Sequence, residues 1–182
     1  MARGSGKFTR RAGNSLAAAM LTLALSHAAW AASFGAKDLQ VLGRAIAFMQ
    51  PSPAPDAIIA IAYVAGNAES KRDADAIAAL IGGGLPTGHG TLRPRVVDIG
   101  GLSGGGFAVV IAALGANGPQ LSAAAKASRA LCVTTETDAV RDGVCAMAIT
   151  TEPRVEIVVN HAAVVAAGID FAAAFRMMIR EM

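Results

Sequence analysis

Apolar residues in this chain form two main patterns, stripes at helical spacing and continuous runs. Leu39, Leu42, Ile46 and Met49 share one helical stripe, which predicts a helix over residues 36–50. Further helices are predicted over residues 71–81, over residues 119–129 and from residue 160 to the end, interrupted at Gly168. Asn160 and Asp170 are candidate N-caps of this last helical region. Continuous apolar runs are typical of strands covered on both faces, and they occupy residues 57–64, 107–114 and 131–135. Residues 93–99 alternate and predict one more strand, and residues 100–106 predict a flexible glycine-rich loop.

The C-terminal third adds a hairpin to this alternation. Residues 144–149 and 155–159 predict its two strands, joined by a short turn that contains Pro153. Because buried strands alternate with helices before it, the sheet is expected to be mostly parallel and covered on both faces. We therefore predict a single three-layer α/β domain over residues 32–182, with a C-terminal antiparallel hairpin and a terminal helix.

Residues 1–31 have the pattern of a secretory signal peptide. Four basic residues precede an apolar run over residues 15–28, and Ala29-Trp30-Ala31 follows it with small residues where a signal peptidase cuts. The run is shorter than the roughly 20 apolar residues that a membrane-spanning helix needs, although a single anchor is the alternative. We expect cleavage near Ala31 and a periplasmic protein. The sequence leaves the choice between Sec and twin-arginine export open.

Removal of this segment changes the charge of the chain. Four of the 16 basic residues and none of the 13 acidic residues lie in residues 1–31, so the remainder has a net charge of −1. A basic surface for nucleic acid is therefore not expected. The single tryptophan, Trp30, also lies in that segment, and Tyr63 is the one tyrosine. Aromatic platforms for sugars or bases are therefore scarce.

Cys132 and Cys145 are the two cysteines of the chain. An oxidising compartment favours a disulfide between them, and two buried thiols are the alternative. Both lie near the starts of predicted strands. If those strands paired antiparallel, the cysteines would lie at opposite ends, which argues against a bridge.

Polar residues follow the carboxyl ends of three predicted parallel strands. These residues are Asn67, Ser70, Asn117, Thr134 and Thr135. Ligands of open α/β sheets bind at such ends, and helix N-terminal amides favour anions. The residues are therefore candidates for binding a small polar or anionic solute, with helix capping as the alternative.

Catalytic and metal-binding patterns are not found in the sequence. His89 and His161 have no neighbouring cysteine or carboxylate pair, so neither predicts a metal site. The glycines of residues 100–106 precede a strand, whereas a phosphate loop follows one. We expect a protein that is not an enzyme and that uses no cofactor.

The terminal helix is a candidate docking surface. Phe171, Phe175, Met178 and Ile179 recur at helical spacing, and Met177 widens this apolar arc. Methionine-rich surfaces adapt readily to partners. The alternative is that the stripe packs on the sheet. We predict that Met177 or Phe171 is partly exposed and contacts another protein, either a second copy or a membrane protein.

From Leu131 onward the chain resembles the YfiR-like family of periplasmic proteins. The resemblance rests on the strand 131–135, on Gly143 before the hairpin, on the strand 155–159 with Asn160, and on Ala167-Gly168-Ile169. It implies a non-enzymatic regulator that restrains an inner-membrane diguanylate cyclase in cyclic-di-GMP signalling, often as a dimer. Residues 63–77 are similar to the first strand and helix of periplasmic substrate-binding proteins. That similarity implies the alternative function, a single-domain solute binder.

Overall fold

An eight-stranded sheet forms the centre of the protein. The computed structural model describes Met1 and residues 33–182, so the predicted signal segment and its cleavage site lie outside the described residues. The helices are α1 (Ala36–Ile46), α2 (Ala68–Ile81), α3 (Pro119–Ser128), α4 (Thr137–Arg141), α5 (His161–Ala166) and α6 (Ala173–Arg176). The strands are β1 (Met49–Gln50), β2 (Ile58–Tyr63), β3 (Leu85–Thr87), β4 (Gly90–Asp98), β5 (Phe107–Ala112), β6 (Leu131–Thr134), β7 (Met147–Thr150), β8 (Glu156–Val159), β9 (Asp170–Phe171) and β10 (Arg180–Glu181).

The predicted α/β architecture is confirmed. The strands of the central sheet follow the order β10-β8-β7-β6-β5-β2-β4-β3. Strand β2 lies between β4 and β5 and is parallel to both, and β6 and β7 continue the parallel order. Strands β7 and β8 form the predicted antiparallel hairpin. Strand β3, which the sequence did not indicate, pairs antiparallel with β4 at the other edge of the sheet.

Two separate cores cover the two faces of the sheet. Successive side chains of a strand point to opposite faces, so Ile59 and Ile61 enter one core and Ala60 and Ala62 enter the other. The first core holds α1, α2 and the C-terminal segment with large aliphatic and aromatic side chains. The second packs smaller residues against α3. The continuous apolar run in β2 therefore reflects burial on both faces, as predicted.

Side-chain caps decide where two helices begin. Asn67 caps α2 by accepting hydrogen bonds from the backbone N–H groups of Glu69 and Ser70, so the helix starts three residues before the predicted Lys71. Asn160 caps α5, as expected, by accepting from the N–H of Ala163 at 3.0 Å.

The first helix and the glycine-rich loop differ from the prediction. Helix α1 ends at Ile46, and Met49–Gln50 forms β1, which pairs with β9. Pro51 favours this extended conformation at the residue before it. Residues 100–106 do not form a wholly irregular loop, because Ile99–Gly104 is a 3-10 helix. Asp98 caps it by accepting from the N–H of Gly101 at 3.1 Å.

The helix predicted from residue 160 to the end forms only in part, as α5 and the four-residue α6. Its last segment is wrong, because β10 follows α6 and pairs parallel with β8. The backbone groups of β10, which a continuing helix would pair within itself, are instead paired with β8 at the edge of the sheet. Asp170 lies in β9 instead of capping a helix, and its Oδ1 accepts from the N–H of Phe171 at 2.7 Å.

The two cysteines form a disulfide, with their Cα atoms 4.7 Å apart. The argument against a bridge was wrong because β6 and β7 are parallel, with Val133 opposite Met147. Both strands therefore start at the same end of the sheet, where Cys132 lies in β6 and Cys145 lies just before β7. Among the described helices, none combines the length and apolar character needed to cross a membrane.

Candidate functional site

The carboxyl ends of the parallel strands bring the polar candidates to one edge, as predicted. A Cβ atom added to Gly115, after β5, would lie 3.9 Å from Nδ2 of Asn67, after β2. Ser70 is buried beside them, and its hydroxyl oxygen accepts from the N–H of Val64 at 3.1 Å. Asn67 and Ser70 thus hold the turn between β2 and α2 together.

Asn117 and Thr134 join the next two connections. Nδ2 of Asn117 donates to Oγ1 of Thr134 at 2.9 Å, and that oxygen also accepts from the N–H of Glu136 at 3.1 Å. Oδ1 of Asn117 lies 3.9 Å from the Sγ atom of Cys145. The disulfide leaves this sulfur without a proton, so the approach is a van der Waals contact. Asn117 does not cap α3, which begins after Gly118 without a side-chain cap.

These bonds favour a structural role for four of the five candidates. Asn67, Ser70, Asn117 and Thr134 each form at least one hydrogen bond within the protein. Solute binding by these residues stays a prediction. The double replacement of Asn67 and Asn117 by alanine would remove a helix cap and the hydrogen bond from Asn117 to Thr134, together with any ligand contact.

Thr135, the fifth candidate, lines a cleft of about 410 Å³. The cleft lies between the start of α1 and the ends of β6 and β7, where Thr150 also lines it. Nζ of Lys37 donates to Oε1 of Glu152 at 2.8 Å in the cleft wall. The hydrogen bond and then the opposite charge of Glu152 raise the pKa of Lys37, and the same contact lowers the pKa of Glu152.

Asp38 adds a buried carboxylate to the cleft wall. Its Oδ2 accepts from the N–H of Gly35 at 2.8 Å at the start of α1, a charge favoured by the helix dipole. Within the described part of the chain, its Oδ1 is buried and has no hydrogen-bond partner. The cleft therefore has hydroxyl groups and both signs of charge in its walls.

Asp73 is a polar residue that the sequence reasoning missed. Its Oδ2 accepts from the N–H of Leu114 at 2.7 Å, and its Oδ1 accepts from the hydroxyl of Ser33. Helix α2 is thereby tied both to the turn after β5 and to the segment before α1. Leu114 and Ser33 lie about 40 residues from Asp73, so a local pattern could not have predicted either bond.

The C-terminal candidates divide into buried and exposed residues. Phe171 and Phe175 are buried, with their ring centroids 4.9 Å apart, and Phe48 stacks on Phe175 at 5.4 Å. They belong to the core and cannot form a docking surface. Met177 is 88% exposed and Met178 is 63% exposed.

Val155, on the turn of the hairpin, is 60% exposed and lines a shallow depression of about 320 Å³ together with Met178. We call Val155, Met177 and Met178 the methionine surface. The sequence indicated the exposed methionines but placed them on a helix, whereas they connect α6 to the edge strand β10.

Neither a known protein family nor a curated protein matches the chain. Across the residues that the structure describes, three or more His, Cys, Asp or Glu residues do not cluster in a way that could hold a metal ion.

Proposed function

We propose that the protein is a non-enzymatic periplasmic regulator that contacts the periplasmic part of an inner-membrane signalling protein through the methionine surface. The single observation that carries this proposal is the exposure of Met177 and Met178 next to the edge strand β10. The resemblance to YfiR-like proteins supports a diguanylate cyclase as the partner. The disulfide supports an oxidising compartment such as the periplasm.

The chemistry of the surface favours a protein partner. Exposed apolar side chains next to one another mark interaction sites, and methionine adapts its flexible side chain to different partners. Charged residues surround the apolar centre, including the ion pair between Arg180 and Glu156 at 3.2 Å. This arrangement has the apolar centre and polar rim of a protein–protein interface. The exposed backbone edge of β10 also offers a partner strand hydrogen-bonding groups.

The test is Met177→Glu, with Val165→Glu as the matched control. Val165 is 57% exposed but lies on α5. Both variants should keep their thermal midpoints, because surface substitutions usually change stability by less than about 0.5 kcal/mol. Met177→Glu should abolish co-purification with the cyclase and raise cellular cyclic-di-GMP, whereas Val165→Glu should do neither. Retained binding by Met177→Glu at full stability would contradict the proposal.

Self-association is measured in the same experiment. A homodimer through this surface should dissociate in Met177→Glu, which sedimentation velocity detects. Loss of a dimer without any change in cyclic-di-GMP would show that the surface joins copies of the chain and does not reach a membrane protein.

The second candidate function is solute binding at the strand ends. The observation that favours it is the cleft of about 410 Å³ beside Thr135 and Thr150. A small polar solute found by thermal-shift screening should bind more weakly to Thr135→Val, because the valine keeps the shape of the side chain and removes the hydroxyl. Equal binding by Thr135→Val would place the solute elsewhere.

A further inference from the structure

A third and larger concavity runs along α1, between this helix, the end of α2 and β3. Its volume is about 710 Å³, which is within the range of small-molecule sites. Most of its lining is apolar and includes Phe48, Leu80 and Leu85. Leu80, near the end of α2, is 52% exposed at this groove.

The bottom of the groove is fixed by a close contact between α1 and β3. A Cβ atom on Gly43 would lie 2.4 Å from the carbonyl oxygen of Pro86, so only glycine allows this approach. One turn later, a Cβ atom on Gly88 would lie 2.8 Å from the Cβ of Ala47. Helix α1 and the antiparallel pair of β3 and β4 therefore touch along the groove. The groove is thus already formed in the absence of a ligand.

The charge among the described residues that line the groove is positive. Among the described residues that line it, Arg44 carries a charge, and none is acidic. Arg44 is exposed, and it forms neither an ion pair nor a hydrogen bond with another described residue. Gln40 lies one helical turn before it and also lines the groove. An apolar ligand with one negative group would match this lining.

We propose that the groove binds an aliphatic monocarboxylate. Its alkyl chain lies against Phe48 and Leu80, and its carboxylate pairs with the guanidinium of Arg44, whose planar fork fits a carboxylate. Gln40 can donate a further hydrogen bond from its side-chain amide. This site is separate from the methionine surface and does not depend on the proposed regulatory function.

Calorimetric titration of the purified protein with decanoate, octanoate and decanol tests the proposal. Decanoate should bind saturably at one site. Octanoate should bind roughly tenfold more weakly, because each buried methylene contributes about three- to fourfold in affinity. Decanol should bind about three- to tenfold more weakly than decanoate, because it lacks the ion pair at a partly exposed site. Equal binding of decanol and decanoate would overturn the assignment of Arg44.

Two variants at the groove locate the site, and a third variant elsewhere on the surface serves as the control. Arg44→Gln should weaken decanoate about three- to tenfold and leave decanol unchanged, and Leu80→Asp should weaken both. Arg154→Gln removes an exposed arginine at the depression beside the methionine surface and should change neither affinity. The proposal fails if decanoate does not bind saturably, or if Arg154→Gln has the same effect as Arg44→Gln. It also fails if the protein self-associates and Leu80→Asp abolishes that association, because a second copy would then cover the groove.

Discussion

Reduction of the disulfide between Cys132 and Cys145 should destabilise the protein by about 3 kcal/mol. The two residues are 13 positions apart, and closing a loop of this length in the unfolded chain removes conformational entropy worth about that amount at 25 °C. Both residues are buried, but reduced thiols pack as small hydrophobic groups, so burial adds little to the cost. For a chain of this size, the thermal midpoint should fall by about 6–12 °C.

Thermal unfolding followed by circular dichroism, with and without a phosphine reductant, measures this shift. A thiol assay on the unfolded protein must show that both cysteines have been reduced. The control is the double variant Cys132→Ala, Cys145→Ala, which should unfold at the same temperature in both solutions. That comparison separates loss of the bridge from other effects of the reductant.

The reasoning would be refuted by a shift below about 2 °C after complete reduction. Such a result would mean that the unfolded chain is already constrained near these residues. A shift of the expected size in the wild type and none in the double variant would support the loop-entropy argument.

Three further predictions concern local contacts. Gly43→Ala should lower the free energy of unfolding by about 1–3 kcal/mol, measured with denaturant, because the added Cβ would meet the carbonyl oxygen of Pro86. Asn67→Ala should cost about 1 kcal/mol in the same assay, because α2 loses its cap. Lys37→Met should return the pKa of Glu152 to its ordinary value in a carboxyl NMR titration. In the wild type, the contribution of this ion pair to stability is present above the ordinary pKa of Glu152 and is lost as the pH falls through the lowered value.

Each of these predictions has a control. Gly104→Ala adds a Cβ that meets no heavy atom within 4 Å of those described, so equal losses at Gly43 and Gly104 would contradict the close-contact argument. Asn67→Asp keeps an accepting oxygen and should retain most of the cap. Arg44→Met removes a positive charge that does not contact Glu152. An equal change in the pKa of Glu152 would show that the ion pair does not cause the shift.

The parts of the fold that the sequence predicted depend on local patterns. Burial on both faces produces the continuous apolar runs of β2, β5 and β6, and the asparagine caps act within three residues of their own position. The parts that were wrong depend on distant partners. The spacing of Phe171 and Phe175 suits a helix, but β10 pairs with β8, and strand direction decided whether the cysteines could meet.

The candidate site shows the same limit. The edge shared by Asn67, Asn117 and Thr134 follows from parallel strands and was predicted, whereas the hydrogen bonds that use these side chains depend on packing between turns. The groove beside Arg44 joins residues from α1, α2 and β3. A periodic pattern within one element cannot show that these three elements leave a space between them.

The pairing of β1 with β9 connects the two ends of the described domain. Met49 lies opposite Phe171, and Phe48, which lines the groove, stacks on Phe175, two residues before Met177. A ligand against Phe48 and a protein against Met177 would therefore contact the chain on either side of the stacked pair of Phe48 and Phe175. If occupation of either side shifts that contact, thermodynamic linkage requires each binding event to change the affinity of the other by the same factor. Binding of an amphiphile in the groove would then change the affinity of the protein for its partner.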